Sequence, residues 1–102
     1  MTGQIAATSI RGSEERAHRQ IDYAANAIGC EYNRNVSVAP NVRCNVVGTL
    51  WDNGVHYHFI VDVVPHESEC QVTLSSLPEN SYIKRATLRR KEIDQFLDAI
   101  RK

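Results

Sequence analysis

Asn53-Gly54 stands between two runs of alternating, β-branched and aromatic residues, Val42 to Trp51 and Val55 to Val64. Such a dipeptide between such runs is the strongest short-range hairpin signal, because a two-residue type I′ loop needs positive φ at both central positions. The chain therefore contains an antiparallel ribbon, and the rest must fold around it. With Asn53 and Gly54 as the loop, Asp52 pairs with Val55, Leu50 with Tyr57, Gly48 with Phe59, Val46 with Val61 and Cys44 with Val63. These residues share one face that is almost wholly apolar. The opposite face pairs Trp51 with His56, Thr49 with His58, Val47 with Ile60, Asn45 with Asp62 and Arg43 with Val64. Turn chemistry and hydrophobic alternation select this register together.

The flanking segments read more simply. Ser13 is a helix N-cap, followed by Glu14 and Glu15 where the helix dipole favours acids. Ala17, Ile21, Ala24, Ala25 and Ile28 then recur on one face, and Gly29 sits where a left-handed C-terminal residue belongs. This predicts a helix over 14–28 that packs closely through alanine. Residues 1–12 form an N-terminal arm, either loose or a short edge segment. Asn33 to Pro40 reads as a short edge strand or a bulge, since proline cannot donate to a ladder. Pro65 is expected to end the second run. Glu69 to Ser76 alternates as a third main strand, and Leu77 to Ser81 is a loop with a short return through Tyr82 and Ile83. Ile93, Phe96, Leu97 and Ile100 define a closing helix over 89–101. The expected fold is α+β: one antiparallel sheet of three to four strands with an N-terminal and a C-terminal helix (α-β-β-β(-β)-α), as a single domain over 13–102.

At 102 residues, with 42% hydrophobic and 24% charged residues, the chain is sized and composed for one globular domain. Its formal net charge is zero, yet the charge is unevenly spread. Residues 82–102 hold seven basic and three acidic side chains, a balance of +4 that leaves −4 on residues 1–81. Three widely spaced cysteines, Cys30, Cys44 and Cys70, are not a disulfide framework. No signal-peptide pattern opens the chain, and no apolar run approaches the ~20 residues that span a bilayer. These features point to a cytoplasmic protein with reduced thiols and no membrane association.

Candidate chemistry is sparse. His56 and His58 share a strand face and could supply half a metal site, but no C-x-x-C or H-E-x-x-H completes it. They read instead as half-exposed surface histidines. Cys44 and Cys70 fall on apolar strand faces, and Cys30 is the one thiol expected to be exposed. No histidine partner or orienting group marks it as activated. We expect no catalytic residues, no metal and no cofactor. The basic cluster Lys84, Arg85, Arg89, Arg90 and Lys91 enters the last helix where cations oppose its dipole, as phosphate-binding residues would.

In its element order the chain resembles double-stranded-RNA-binding domains, which present lysines at the start of their second helix. The run from Ala86 to Phe96 also resembles the strand-into-helix close of a single-strand-binding fold. The lysine-alanine pattern and glycine-rich loop of the first family are missing, as are the basic strands of the second, so neither assigns residues here. Three readings follow, in order. The first is a small non-enzymatic protein-binding or regulatory module that pairs with itself or a protein partner through Val47, Trp51, His56, Ile60 and Val64. Its alternative for those residues is cover by the N-terminal arm through Ile5 and Ile10. The second is weak nucleic-acid binding by the cluster at 84–91. The third is a minor enzyme or metal protein using His56 and His58.

Overall fold

The helical and strand patterns become seven elements in the computed structural model, which describes residues 3–51, 54–81, 88 and 90–101, with Trp51 and Val55 through their backbone alone. They are β1 (Gln4–Arg11), α1 (Glu14–Ala27), β2 (Glu31–Ala39), β3 (Val42–Trp51), β4 (Gly54–His66), β5 (Glu69–Ser75) and α2 (Arg90–Ile100). Five antiparallel strands form one sheet in the order β1-β5-β4-β3-β2. The architecture is α+β as expected, but with five strands rather than three to four. The added strand lies in the expected arm, whose edge-segment reading is the one adopted. This first strand also departs from the order of double-stranded-RNA-binding domains.

Helix α1 begins where Ser13 caps it, its hydroxyl accepting from the Arg16 N–H at 3.2 Å. It ends in paired C-terminal bonds, Cys30 N to Ala25 O at 2.8 Å and Gly29 N to Asn26 O at 3.0 Å. Gly29 at φ 75° adopts the left-handed geometry that this closure requires. The alanine stripe lets α1 lie close: Ala17, Ile21, Ala24 and Ala25 are fully buried. Ile93, Phe96, Leu97 and Ile100 of α2 join the same core. Both helices therefore cover one sheet face, where they meet Val47, Phe59, Val61, Val72 and Leu74. Phe59 and Phe96 contact edge to face, with centroids 5.3 Å apart.

The hairpin register differs from the expected one. Trp51 pairs with Gly54, Thr49 with His56 and Gly48 with Tyr57, after which the ladder shifts to Val47–Phe59, Val46–Ile60 and Asn45–Val61. The connection is therefore 52–53 rather than 53–54, and Asp52 and Asn53 lie outside the described residues. His58 is the extra residue of a β-bulge, which reverses the side-chain alternation of β4. Tyr57 packs on the face away from the helices, while Phe59 and Val61 pack beneath them. The predicted common face of Val46, Tyr57, Phe59 and Val61 is thus split in two. The physical reason is that both faces are apolar here: Val46 and Val47 are equally buried, so hydrophobicity alone does not penalise the slip. Gly48 accommodates the bulge, since a Cβ there would sit 2.7 Å from Tyr57 Cδ1 and 2.8 Å from the His56 carbonyl oxygen.

Pro65 does not end β4, which continues to His66 and pairs Pro65 with Cys70. The last β3–β4 pair is Asn45–Val61, so by Pro65 one side of β4 has no ladder for a missing N–H to interrupt. The face away from the helices has a smaller core of Val38, Ala39, Val46, Ile60 and Leu77.

Candidate functional site

Among the described residues no helix packs on the sheet face opposite α1 and α2, where the smaller core of Val38, Ala39, Val46, Ile60 and Leu77 is fringed by exposed apolar side chains. Along β3 the even-numbered residues point to it, Cys44 and Val46 among them, and beyond the bulge Ile60 does so from β4. The same alternation places Val42 and Val64 there, with 37% and 55% of their surface exposed. Leu50, near the hairpin tip, is 61% exposed. Gln71, Thr73 and Ser75 of β5 supply a polar margin, because their neighbours Val72 and Leu74 face the helices. Exposed apolar side chains at Val42, Leu50 and Val64 thus border a covered centre at Val46 and Ile60, with a polar margin along β5.

The five residues expected to form an interface do not share that surface. Ile60 and Val64 belong to it, Ile60 largely buried and Val64 exposed. Val47 is fully buried beneath the helices, because the bulge exchanged the faces. His56 lies across from Thr49, on the helix side by the alternation that buries Val47. The Trp51 side chain lies outside the described residues. The N-terminal segment does not cover the open face either: β1 pairs with β5 at the sheet edge, and Ile10 enters the helix-side core.

The histidine pair leads to a different constellation. Thr49 Oγ1 lies 2.6 Å from His58 Nε2 and 3.5 Å from Cys30 Sγ. Cys30 is only 4% exposed, which corrects the expectation of an accessible thiol; it sits under the end of α1, where the chain turns into β2. Burial pushes the Cys30 thiol up, the Thr49 hydrogen bond offsets part of this, and the nearby Glu92 carboxylate adds to the rise. A thiol held protonated, and separated from imidazole by a hydroxyl, is poorly set for nucleophilic attack. Burial likewise raises Cys44, with help from Asp62. Among the described residues, no three His, Cys, Asp or Glu side chains converge as a metal site would require.

One polar site was not singled out from the sequence. His18 lies on the buried flank of α1, 5% exposed, with its Nδ1 2.8 Å from the Tyr32 hydroxyl and its Nε2 3.6 Å from Glu14. The rings stack with centroids 6.0 Å apart. Burial is the main cause that lifts the Tyr32 hydroxyl well above the ordinary tyrosine range. With Glu15, Arg19, Asp22 and Arg34, His18 and Tyr32 line a shallow groove of about 270 Å³, bridged in part by Arg34 and Glu15 at 3.7 Å. Only the helical spacing of His18 beside Ala17 and Ile21 could have shown it facing inward. The groove mixes both signs of charge, so it selects no one ligand class.

Of the basic cluster, Lys84, Arg85 and Arg89 lie outside the described residues. Arg90 pairs with Asp94 at 3.2 Å, and Lys91 is exposed. Among the described residues no helix is long and apolar enough to cross a membrane. Comparison with protein-family models, with curated proteins and with solved structures returns no match.

Proposed function

We propose that the chain is a small non-enzymatic protein-binding module that self-associates and offers its open sheet face to a protein partner. One observation carries this reading: both helices are committed to the same face of the sheet, so Val42, Leu50 and Val64 remain exposed on the other. The exposed part of these side chains adds nothing to the stability of a lone domain, whereas burying it against another chain is favourable by roughly 25 cal/mol per Å² of apolar surface. The protonated Cys30 and the mixed-charge groove give chemistry little purchase and leave binding as the better use of the scaffold.

Replacing Val42 and Val64 with serine tests this directly. Both side chains are exposed, so the variant should keep its melting temperature while losing assembly mass by light scattering, or losing a partner that co-purifies with the wild type. A variant that retains both mass and partner would overturn the reading. So would a sharp fall in stability, which would make these residues core.

A further inference from the structure

The two edges of the sheet are built differently. On β2 the ladder shifts twice, between Asn33 and Val36 and between Ser37 and Ala39. Asn35 adopts a left-handed φ of 58° and is clamped there: its N–H donates to Asn45 Oδ1 at 3.1 Å, while Arg43 donates to its side chain at 3.1 Å and to its carbonyl at 2.8 Å. Glu31 and Arg34 add charge, and Pro40 follows. Bulges, charge and proline are the devices by which proteins make a strand edge unable to pair.

The other edge has none of these over most of its length. From Gln4 to Ile10, β1 carries no charged residue and no proline. Its pairing with β5 is regular from Ala6 to Arg11, with one irregularity between Gln4 and Ala6. The strand is also fixed at both ends, by Gly12 N to Ser68 O at 2.9 Å and Ser76 N to Gly3 O at 2.8 Å. Among the described residues no strand pairs with the outer edge of β1, so its N–H and C=O groups are held ready, and pairing with them costs little ordering entropy.

We propose that β1 pairs antiparallel with β1 of a second copy, so that two five-stranded sheets continue as one. The proposal rests on the self-association named above but uses a different surface. A two-fold axis through Thr8 sets Ala7 beside Ser9 and Ala6 beside Ile10 of the other copy, and Arg11 opposite Ile5. No like charges meet within the paired strands, and the small side chains at Ala7 and Ser9 leave the far face of the seam open. On the helix side Arg101 donates to Thr8 Oγ1 at 3.4 Å and lies 3.8 Å from Asp98, so each guanidinium reaches the axis beside its own carboxylate. The axis stands perpendicular to the sheet, so the helices of both copies lie on one side. There the half-exposed Ile5, Ala6 and Thr8 gain neighbours across the axis, extending the helix-side core. A formal net charge of zero places no general repulsion between copies. The occupant is a second copy because its own edge supplies the complement that the uncharged stretch from Gln4 to Ile10 requires.

Sedimentation equilibrium of the full chain over a range of concentrations tests the proposal. The wild type should show a monomer–dimer equilibrium. Ala7→Lys with Ser9→Lys places four ammonium groups around the axis and should weaken association at least tenfold with an unchanged melting temperature. Should that variant fail to fold, hydrogen exchange of the wild type decides: amide protection within 6–10 should rise with protein concentration. A wild type monomeric at every concentration, or protection independent of concentration, overturns the proposal. A dimer that survives the lysines but is lost on Val42→Ser with Val64→Ser overturns it too, while supporting the open-face reading. A monomer that still binds a partner through the open face removes edge pairing alone.

Discussion

Tyr32 illustrates how one side chain ties packing to pH. Its hydroxyl satisfies the buried His18 ring, and burial holds its proton more tightly than in the unfolded chain. A folded-state pKa above the unfolded one contributes stability that is fully present below the unfolded value, near 10, and is lost as pH rises above it. Cys30, Cys44 and Tyr57 shift in the same direction, so the melting temperature should fall on the alkaline side, beginning with the thiols. Tyr32→Phe should cost about 1–3 kcal/mol at neutral pH by leaving His18 without that partner, and it should flatten the decline above pH 10. Urea unfolding of both proteins across pH 7–11 measures both effects. An equally steep decline in the variant would assign the alkaline sensitivity to the other raised groups.

At the scale of elements, the register of β3 against β4 decides which residues are core. Val47→Asp should unfold the domain, because it puts an unpaired carboxylate beneath the helices, whereas the register expected from an Asn53-Gly54 loop would place Val47 on the other face. Asp62→Asn, on an exposed side chain, should change stability by less than about 0.5 kcal/mol. Circular dichroism of the two variants separates the registers. Periodicity revealed α1, α2 and β5 because each carries its apolar residues on one stripe or alternates cleanly, while β3 and β4 were revealed by the turn signal between two β-branched runs. The bulge at His58 was not legible, since an extra residue leaves no mark in a run that is apolar on both faces. The open sheet face was legible as a surplus of apolar side chains beyond what two single-striped helices can cover. Its membership was not, because the bulge exchanged Val47 for residues such as Val42. The His18–Tyr32 groove depends on β2 lying alongside α1, a tertiary fact with no local signature.

For the whole molecule, the informative feature is that β1 and β2, neighbours in sequence across α1, occupy opposite edges of the sheet. An N-terminal arm should tolerate substitution, but Ile10 is buried against Cys70 and the helix-side core. Ile10→Ala should therefore cost about 2–5 kcal/mol, read from the shift in the urea midpoint. A cost within about 0.5 kcal/mol, as expected of an unattached surface residue, would return the segment to the status of an arm. Strands β2 to β5 pair in chain order through short connections, while Ile10 and Cys70 meet across most of the chain. Local pairings close cheaply and distant ones pay more loop entropy. On a ribosome, β1 would be made before the other strands yet be the last of them to find its place, waiting until β5 has left the exit tunnel. Through that interval its backbone is unpaired and its side chains from Gln4 to Ile10 are uncharged. Nascent chains translated close together on one message would then meet through this segment before either had completed its own sheet.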